Sequence, residues 1–300
     1  MDNLRLPAAV VTIGNFDGMH RGHAEVVSIA MAAARAHHCI GVAVTFTSSP
    51  LSVLRPQAYV GSLMTETDKE ALLHAAGITD IVALEPTPEL LALTPQEFVE
   101  RLRRRYTVRG IVIGENFRFG ADAAGDVDWL HHYGAAHDIP VTAVPLLRDT
   151  DGGIISSTRI RGALAAGEME KVTAWLGRCW RVTGTVLHGD ARGRLLGYPT
   201  ANLDAPVGRV LPPDGVYATW VTYRGRRYAA ATSLGTNPTF AGRERRIEAH
   251  VLDLEADMYG AEIHVDFVSH TRPQITFSGV DALQRQLARD TEIVRQLLLG

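Results

Sequence analysis

The chain has 300 residues, 46% of them apolar and 21% charged, enough to bury two cores. Its 30 basic and 33 acidic residues give no global field that would draw it to nucleic acid. No apolar run approaches the roughly 20 residues that span a bilayer, and the first residues lack the apolar segment of a signal peptide. The expectation is a cytoplasmic protein with neither a membrane nor a nucleic-acid partner, leaving room for a homo-oligomer. The two cysteines, Cys39 and Cys179, make neither a disulfide framework nor a metal site. In chain order, residues 8–13 read as a buried strand, 23–37 as an Ala-rich helix and 40–46 as a second buried strand. A helix over 65–76, a strand at 80–84, a helix opened by Thr94-Pro95 and a strand at 110–113 follow. A helix at 127–136 and a strand at 141–144 complete a pattern that argues a parallel sheet with both faces covered.

Three segments leave the carboxyl ends of these strands, where such sheets bind ligands. The first runs from Gly14 to His23 and contains Phe16, Asp17, Gly18, His20 and His23. Its glycines let backbone approach a phosphate, and the following helix N-terminus offers unpaired N–H groups. The spacing of three puts both histidines on one side of the first helical turn. This segment resembles the HxGH signature of the nucleotidyltransferase superfamily, in which two histidines bind a triphosphate. The second segment is Thr45-Phe46-Thr47-Ser48-Ser49-Pro50. The third, 114–120, sets Asn116, Phe117 and Arg118 where an amide and a planar cation suit a flat ring or a phosphate. Further on, Ser156-Ser157-Thr158-Arg159-Ile160-Arg161 places helix-capping hydroxyls beside two arginine forks. The same spacing also suits a capped helix with solvated arginines, but the run resembles the superfamily's second triphosphate-binding signature.

Helical patterns at 161–166 and 168–176 end at Gly177, and the domain boundary is expected at Gly177-Arg178, giving domains 1–177 and 178–300. Beyond it, alternating runs at 180–187, 215–223, 226–233, 247–254 and 262–267 predict an antiparallel sheet or small barrel. An amphipathic helix closes the chain over 280–299. Between the first two runs lie Gly189, Arg192 and Gly193, whose flexible backbone suits phosphates, and then Thr200 and Asn202, oxygen ligands of the kind Mg²⁺ takes. Strand alternation puts Glu248 and His250 on one face, and a carboxylate there is a candidate general base.

The run Gly197-Tyr198-Pro199-Thr200-Ala201-Asn202 matches the PTAN motif of riboflavin kinases. Residues 184–193, 214–217, 235–240, 248–253 and 259–260 follow that family in order, and the first half resembles the FMN adenylyltransferase module. Over nearly its whole length the chain therefore resembles the prokaryotic bifunctional riboflavin kinase/FAD synthetases. The resemblance implies an α/β parallel-sheet, Rossmann-like nucleotidyltransferase domain, then an antiparallel β-barrel flavokinase domain with a C-terminal helix. It implies phosphorylation of riboflavin to FMN and adenylylation of FMN to FAD, with ATP as co-substrate and Mg²⁺ as cofactor. It makes Glu248 the kinase base, and Thr200 and Asn202 the metal and ATP ligands. His20, His23, Arg159 and loop N–H groups would supply cations and amides to the triphosphate. The chain departs from the family at Ser48-Ser49-Pro50, where Pro-His-Pro is usual, at Ala121-Asp122-Ala123-Ala124, where basic residues are frequent, and at Asn237, where arginine is common. Rival readings are a monofunctional kinase with an impaired adenylyl half, another nucleotidyl transfer, and a non-catalytic flavin-binding regulator.

Overall fold

The computed structural model describes residues 6–188, 197–204, 208–239 and 242–300. It divides into two compact units, Met1–Ser157 and Thr158–Gly300. Gly189, Arg192 and Gly193 lie outside the described residues.

In the first unit, β1 (Ala8–Ile13), β2 (Ile40–Phe46), β3 (Asp80–Leu84), β4 (Thr107–Gly114) and β5 (Val141–Val144) form a five-stranded sheet of order β3-β2-β1-β4-β5. All its pairings are parallel. The apolar runs of β1 and β2 are buried from end to end because helices cover both faces. Helix α1 (Arg21–Ala36) turns Val26, Val27, Ala30 and Ala34 inward. It lies so close over β2 that a Cβ at Gly41 would meet Met31 Sδ, so a larger residue there would need that side chain to move. The chain winds outward from β1 through β2 to β3, then returns to β4 on the other side of β1. That reversal opens a crevice at the carboxyl ends of β1 and β4.

Two short helices were not legible in the sequence: α2 (Pro50–Leu54), capped by Ser49, and α4 (Pro88–Leu91), capped by Thr87. Each is one turn long, too short to leave a periodic signal. Helices α3 (Glu66–Ala75), α5 (Pro95–Arg103) and α6 (Val127–Ala136) stand where expected. Thr94 and Glu97 complete a capping box on α5. Strand β4 starts three residues earlier than its apolar run, at Thr107, because Thr107–Val108 pair with Ala8–Ala9 ahead of a register shift.

Helices α7 (Ser157–Ala165) and α8 (Met169–Leu176) group with the second unit from Thr158 onward. Helix α8 packs on strands β6 (Trp180–Leu187) and β11 (Glu262–Pro273), where Glu170 accepts from Ser269 Oγ at 3.0 Å. The division by contacts thus falls ahead of two helices that the sequence boundary at Gly177-Arg178 places with the first domain. The strands close into a barrel of order β10-β7-β6-β11-β8-β9, with β7 at Ala201–Asp204, β8 at Gly215–Tyr223, β9 at Arg226–Thr239 and β10 at Gly242–Val251. Strand β7 was not expected, being four residues long and preceded by a turn. Strand β10 begins earlier than its apolar run because its first residues pair with the extended end of β9. Trp180, Tyr217 and Phe267 fill part of the interior, with ring centroids 5.1 and 5.3 Å apart, beside the buried Thr219–Thr232 hydroxyl pair at 2.6 Å. Helix α9 (Val280–Leu298) packs Val294 on Ala218, Ala229 and Leu252. Asp290, 2% exposed, accepts from Arg272 Nε and Nη2 on β11 and ties the helix down.

Candidate active sites

In the first unit the segment from Gly14 to His23 leaves β1 at the head of the crevice. Gly14 N donates to Val44 O, and Thr45 Oγ1 donates to Asn15 O at 3.1 Å. Phe16, Gly18 and Met19 all have positive φ, 50°, 84° and 38°. Glycine takes this conformation freely, but at Phe16 and Met19 it costs energy that the surroundings must supply. Buried Phe16 and Met19 side chains supply part of it by packing with Val27 and Ala43.

His20 is the N-cap of α1, its Nδ1 accepting from His23 N at 3.3 Å. The two imidazoles stack with centroids 3.6 Å apart and planes 18° from parallel, and Phe16 meets His23 edge-on at 5.4 Å. The spacing of three has brought both rings to one side of the first turn, as expected. The charge of His23 differs from the expectation. Burial, and after it the charge of His20, hold His23 well below the ordinary histidine pKa, so it is neutral at pH 7. It offers a polarised ring rather than a fixed cation. His23 Nδ1 is buried and has no hydrogen-bond partner among the described residues. An approaching oxyanion would favour the proton that burial has removed.

Asp17 was a candidate phosphate contact, but its carboxylate accepts from Leu63 N, at 2.9 and 3.2 Å. Ser157 Oγ donates to Asp17 O at 2.7 Å. Both side chains therefore pin the loop, and a carboxylate would repel a phosphate. The guanidinium of Arg159 lies 4.3 Å from the centre of the Trp175 ring, a cation–π contact with α8 that the sequence did not reveal. Asn116 is exposed just beyond β4. Phe117 stacks on buried Phe119 at 5.3 Å, and exposed Arg118 pairs with Asp126, the N-cap of α6, at 3.4 Å. Of these three flavin candidates, Phe117 is the one partly committed to the core.

In the second unit the antiparallel pairing of β10 with β7 sets Glu248 directly opposite Asn202. Opposed residues share a face, with Cβ atoms roughly 5 Å apart. Ile247, Ala249 and Val251 point into the buried side while Glu248 and His250 are half-buried on the other, matching the alternation read from the sequence. His250 Nδ1 lies 2.9 Å from Pro199 O, and its ring meets Tyr198 edge-on at 5.2 Å. The segment before Thr200 is therefore fastened to the strand that carries Glu248. Thr200 and Asn202 line a cleft of about 500 Å³, together with Val186, Val251 and the run 254–259. That run brings Glu255 and Asp257 into the cleft, and Tyr259 stacks on His188 at 3.8 Å. Neither acid carries a sequence signal, since both stand in a loop without periodicity. Neutral oxygens beside carboxylates suit Mg²⁺ better than softer metals. No group of three or more His, Cys, Asp or Glu that could hold a metal occurs among the described residues. Such an ion would be completed by nucleotide phosphates and water.

A doubly wound α/β unit with a histidine pair at its crevice, joined to a barrel that presents a carboxylate opposite a Thr/Asn cleft, defines a two-module, nucleotide-dependent transferase. The sequence model of the FAD synthetase family matches residues 3–159, and that of the riboflavin kinase family matches residues 176–298. A bifunctional riboflavin kinase/FMN adenylyltransferase of Escherichia coli K12 is 33% identical over 291 residues, covering 96% of this chain and 92% of that protein. One from Listeria monocytogenes is also 33% identical, over 95% of this chain and 91% of its own length. The chain belongs to the bifunctional riboflavin kinase/FMN adenylyltransferase family. A crystal structure described as a macrolide-efflux protein from Streptococcus pneumoniae superposes with a TM-score of 0.88 at 34% identity, covering 98% of this chain and 96% of that one. The efflux description is that protein's own, and no helix among the described residues here is long and apolar enough to cross a membrane.

Proposed function

We propose that the chain phosphorylates riboflavin to FMN at the barrel and then joins FMN to AMP from a second ATP, releasing pyrophosphate, at the α/β unit. One observation carries this reading: each unit has its own phosphate apparatus, the stacked His20/His23 pair in one and Glu248 opposite Asn202 in the other. The activities are assigned to residues 1–177 and 178–300, with the enzyme working in the cytoplasm.

The two chemistries make different demands. The riboflavin hydroxyl is a poor nucleophile at neutral pH, so phosphorylation needs a base, and Glu248 takes that role. Thr200 and Asn202 would hold Mg²⁺, which neutralises charge on the transferring phosphoryl when bound. Adenylyl transfer starts from the FMN phosphate, which is largely ionised at neutral pH because its second pKa is about 6. It needs no base, only groups that stabilise charge on the triphosphate. His20, His23 and amides of the segment after β1, other than the Gly14 and Met19 N–H groups that donate to Val44 O and Phe16 O, provide these. The assignments of Ser156, Thr158, Arg159 and Arg161 to phosphate, and of Asn116 and Arg118 to flavin, rest on the family resemblance. Incubation with riboflavin, ATP and Mg²⁺, with FMN and FAD separated by chromatography, tests the reading. FMN should appear first and FAD after it, and failure to form either product removes the corresponding assignment.

A further inference from the structure

The outward face of the barrel carries a polar row that the assignments above use only in part. Strand β10 lies between β7 and β9, and Glu248 stands opposite Asn202 on one side and opposite Ser233 on the other. Ile247 and Ala249 pair with Leu234 and Thr232, and all four are fully buried. Strand alternation therefore turns Ser233 outward with Glu248. Directly opposed residues have Cβ atoms roughly 5 Å apart. Along the same face of β9, Ala229 and Ala231 pack in the cluster that holds Val294 of α9. Ser233, two residues on, is half-buried and polar. It is fixed from one side: Gln274 Nε2, just past the end of β11, donates to Ser233 Oγ at 3.0 Å and to Leu234 O at 3.2 Å. Oγ accepts in that bond, so its own proton is left to be donated elsewhere. No acceptor for that proton occurs among the described residues.

We propose that Ser233 is a substrate-binding residue for riboflavin phosphorylation. Its hydroxyl, oriented by Gln274, donates to a secondary hydroxyl of the ribityl chain and so selects a polyol and sets its terminal oxygen at Glu248. The proposal rests on the reading of the barrel as the riboflavin kinase with Glu248 as its base. The reacting hydroxyl ends a polyhydroxylated chain, so bringing that oxygen to Glu248 lays the preceding hydroxyls beside it, along the row. A contact made alike in ground and transition states raises the Michaelis constant more than it lowers turnover.

The test uses the full chain as Ser233→Ala and Ser233→Thr, with riboflavin and with analogues each lacking one secondary hydroxyl of the ribityl chain. Phosphorylation is measured as kcat and the Michaelis constant for the flavin, and adenylylation of supplied FMN by the same preparations is the internal control. Ser233→Ala should lower kcat/KM for riboflavin by about 3–10-fold, the worth of one neutral hydrogen bond. The loss should fall chiefly on the Michaelis constant and leave adenylylation within twofold. With the analogue that lacks the contacted hydroxyl, Ser233→Ala should lose nothing further, because both changes remove the same bond. Ser233→Thr, which keeps the hydroxyl, should recover most of the loss. If Ser233→Ala is insoluble, Ser233→Cys, whose thiol is a weak donor, decides by the same comparison. Unchanged kinetics with riboflavin, or a loss of equal size with every analogue, would overturn the proposal. If the unmodified chain makes no FMN, or Glu248→Gln phosphorylates at an unchanged rate, the kinase reading itself falls and takes this role with it.

Discussion

His23 shows how one side chain can be set by its surroundings. Stacked on His20 and buried at Nδ1, it is neutral when no anion is present. A triphosphate would favour its protonation, so the ring becomes most useful when substrate arrives. His23→Ala should lower FAD formation from FMN by about 10²–10³-fold, the usual cost of one oxyanion contact, without affecting riboflavin phosphorylation. The lowered pKa also makes a stability prediction. Because the folded pKa lies below the unfolded one, the unfolded chain takes up the proton first as the pH falls. Stability is untouched above about pH 6.5 and declines below it, by at most about 1.4 kcal/mol per pH unit for one group. Unfolding of the first unit, compared with His23→Gln between pH 7.5 and 5.5, should show the steeper decline in the unmodified chain. Equal slopes would remove this account. Glu248, as the proposed base, would have the opposite task, to take a proton in the transition state. Glu248→Gln keeps the shape without the basicity and should cost about 10²–10⁴-fold in FMN formation, with supplied FMN still converted to FAD. An unchanged kinase rate would return Glu248 to a role in the sheet.

At the scale of elements, Ser49 is occupied with structure: it caps α2 through Leu51 N at 3.3 Å, and Pro50 opens that helix. The chain thus uses the family's Pro-His-Pro position to start a single helical turn at the edge of the sheet. Adenylyl transfer needs charge stabilisation on the triphosphate, and the groups proposed to supply it, His20, His23 and Arg159, lie outside this turn. We expect the unmodified chain to make FAD, and Ser48→Pro/Ser49→His to change the Michaelis constant more than turnover. FAD formation only after that restoration would make the loop catalytic. Helix α8 bears on a second prediction. It buries Met169, Val172 and Trp175 in the second unit, so a fragment starting at Leu176 loses apolar cover that one starting at Thr158 keeps. Both should phosphorylate riboflavin without making FAD, the longer one with the higher melting temperature. Equal melting temperatures would show that α8 adds nothing to the barrel.

On the scale of the whole molecule, the two units solve one problem in two ways. The parallel sheet gathers strand ends and helix N-termini into a crevice rich in N–H groups, which suits transfer to an already ionised phosphate. The closed barrel holds a carboxylate on one strand opposite Asn202 on the next, with Thr200 just ahead of that strand, which suits activation of a hydroxyl. Two chemistries with opposite proton demands are thereby kept in separate frameworks.

The sequence by itself determined the class of each half. Buried runs alternating with helices predicted the parallel sheet, short alternating runs the barrel, and the histidine pair and the Pro-Thr-Ala-Asn run marked the chemistry. Such signals are periodic or local, so they survive in one dimension. Tertiary structure decided what those residues face. It made His20 a helix cap and His23 neutral, engaged the Asp17 carboxylate with Leu63 N, and laid Arg159 on Trp175. It also turned Lys69 inward and set Glu248 opposite Asn202. Each depends on strand register, or on a neighbour distant in sequence whose charge or bulk changes the local free energy. A period of 2.0 or 3.6 residues records which face a side chain takes, but carries no information about what stands across from it.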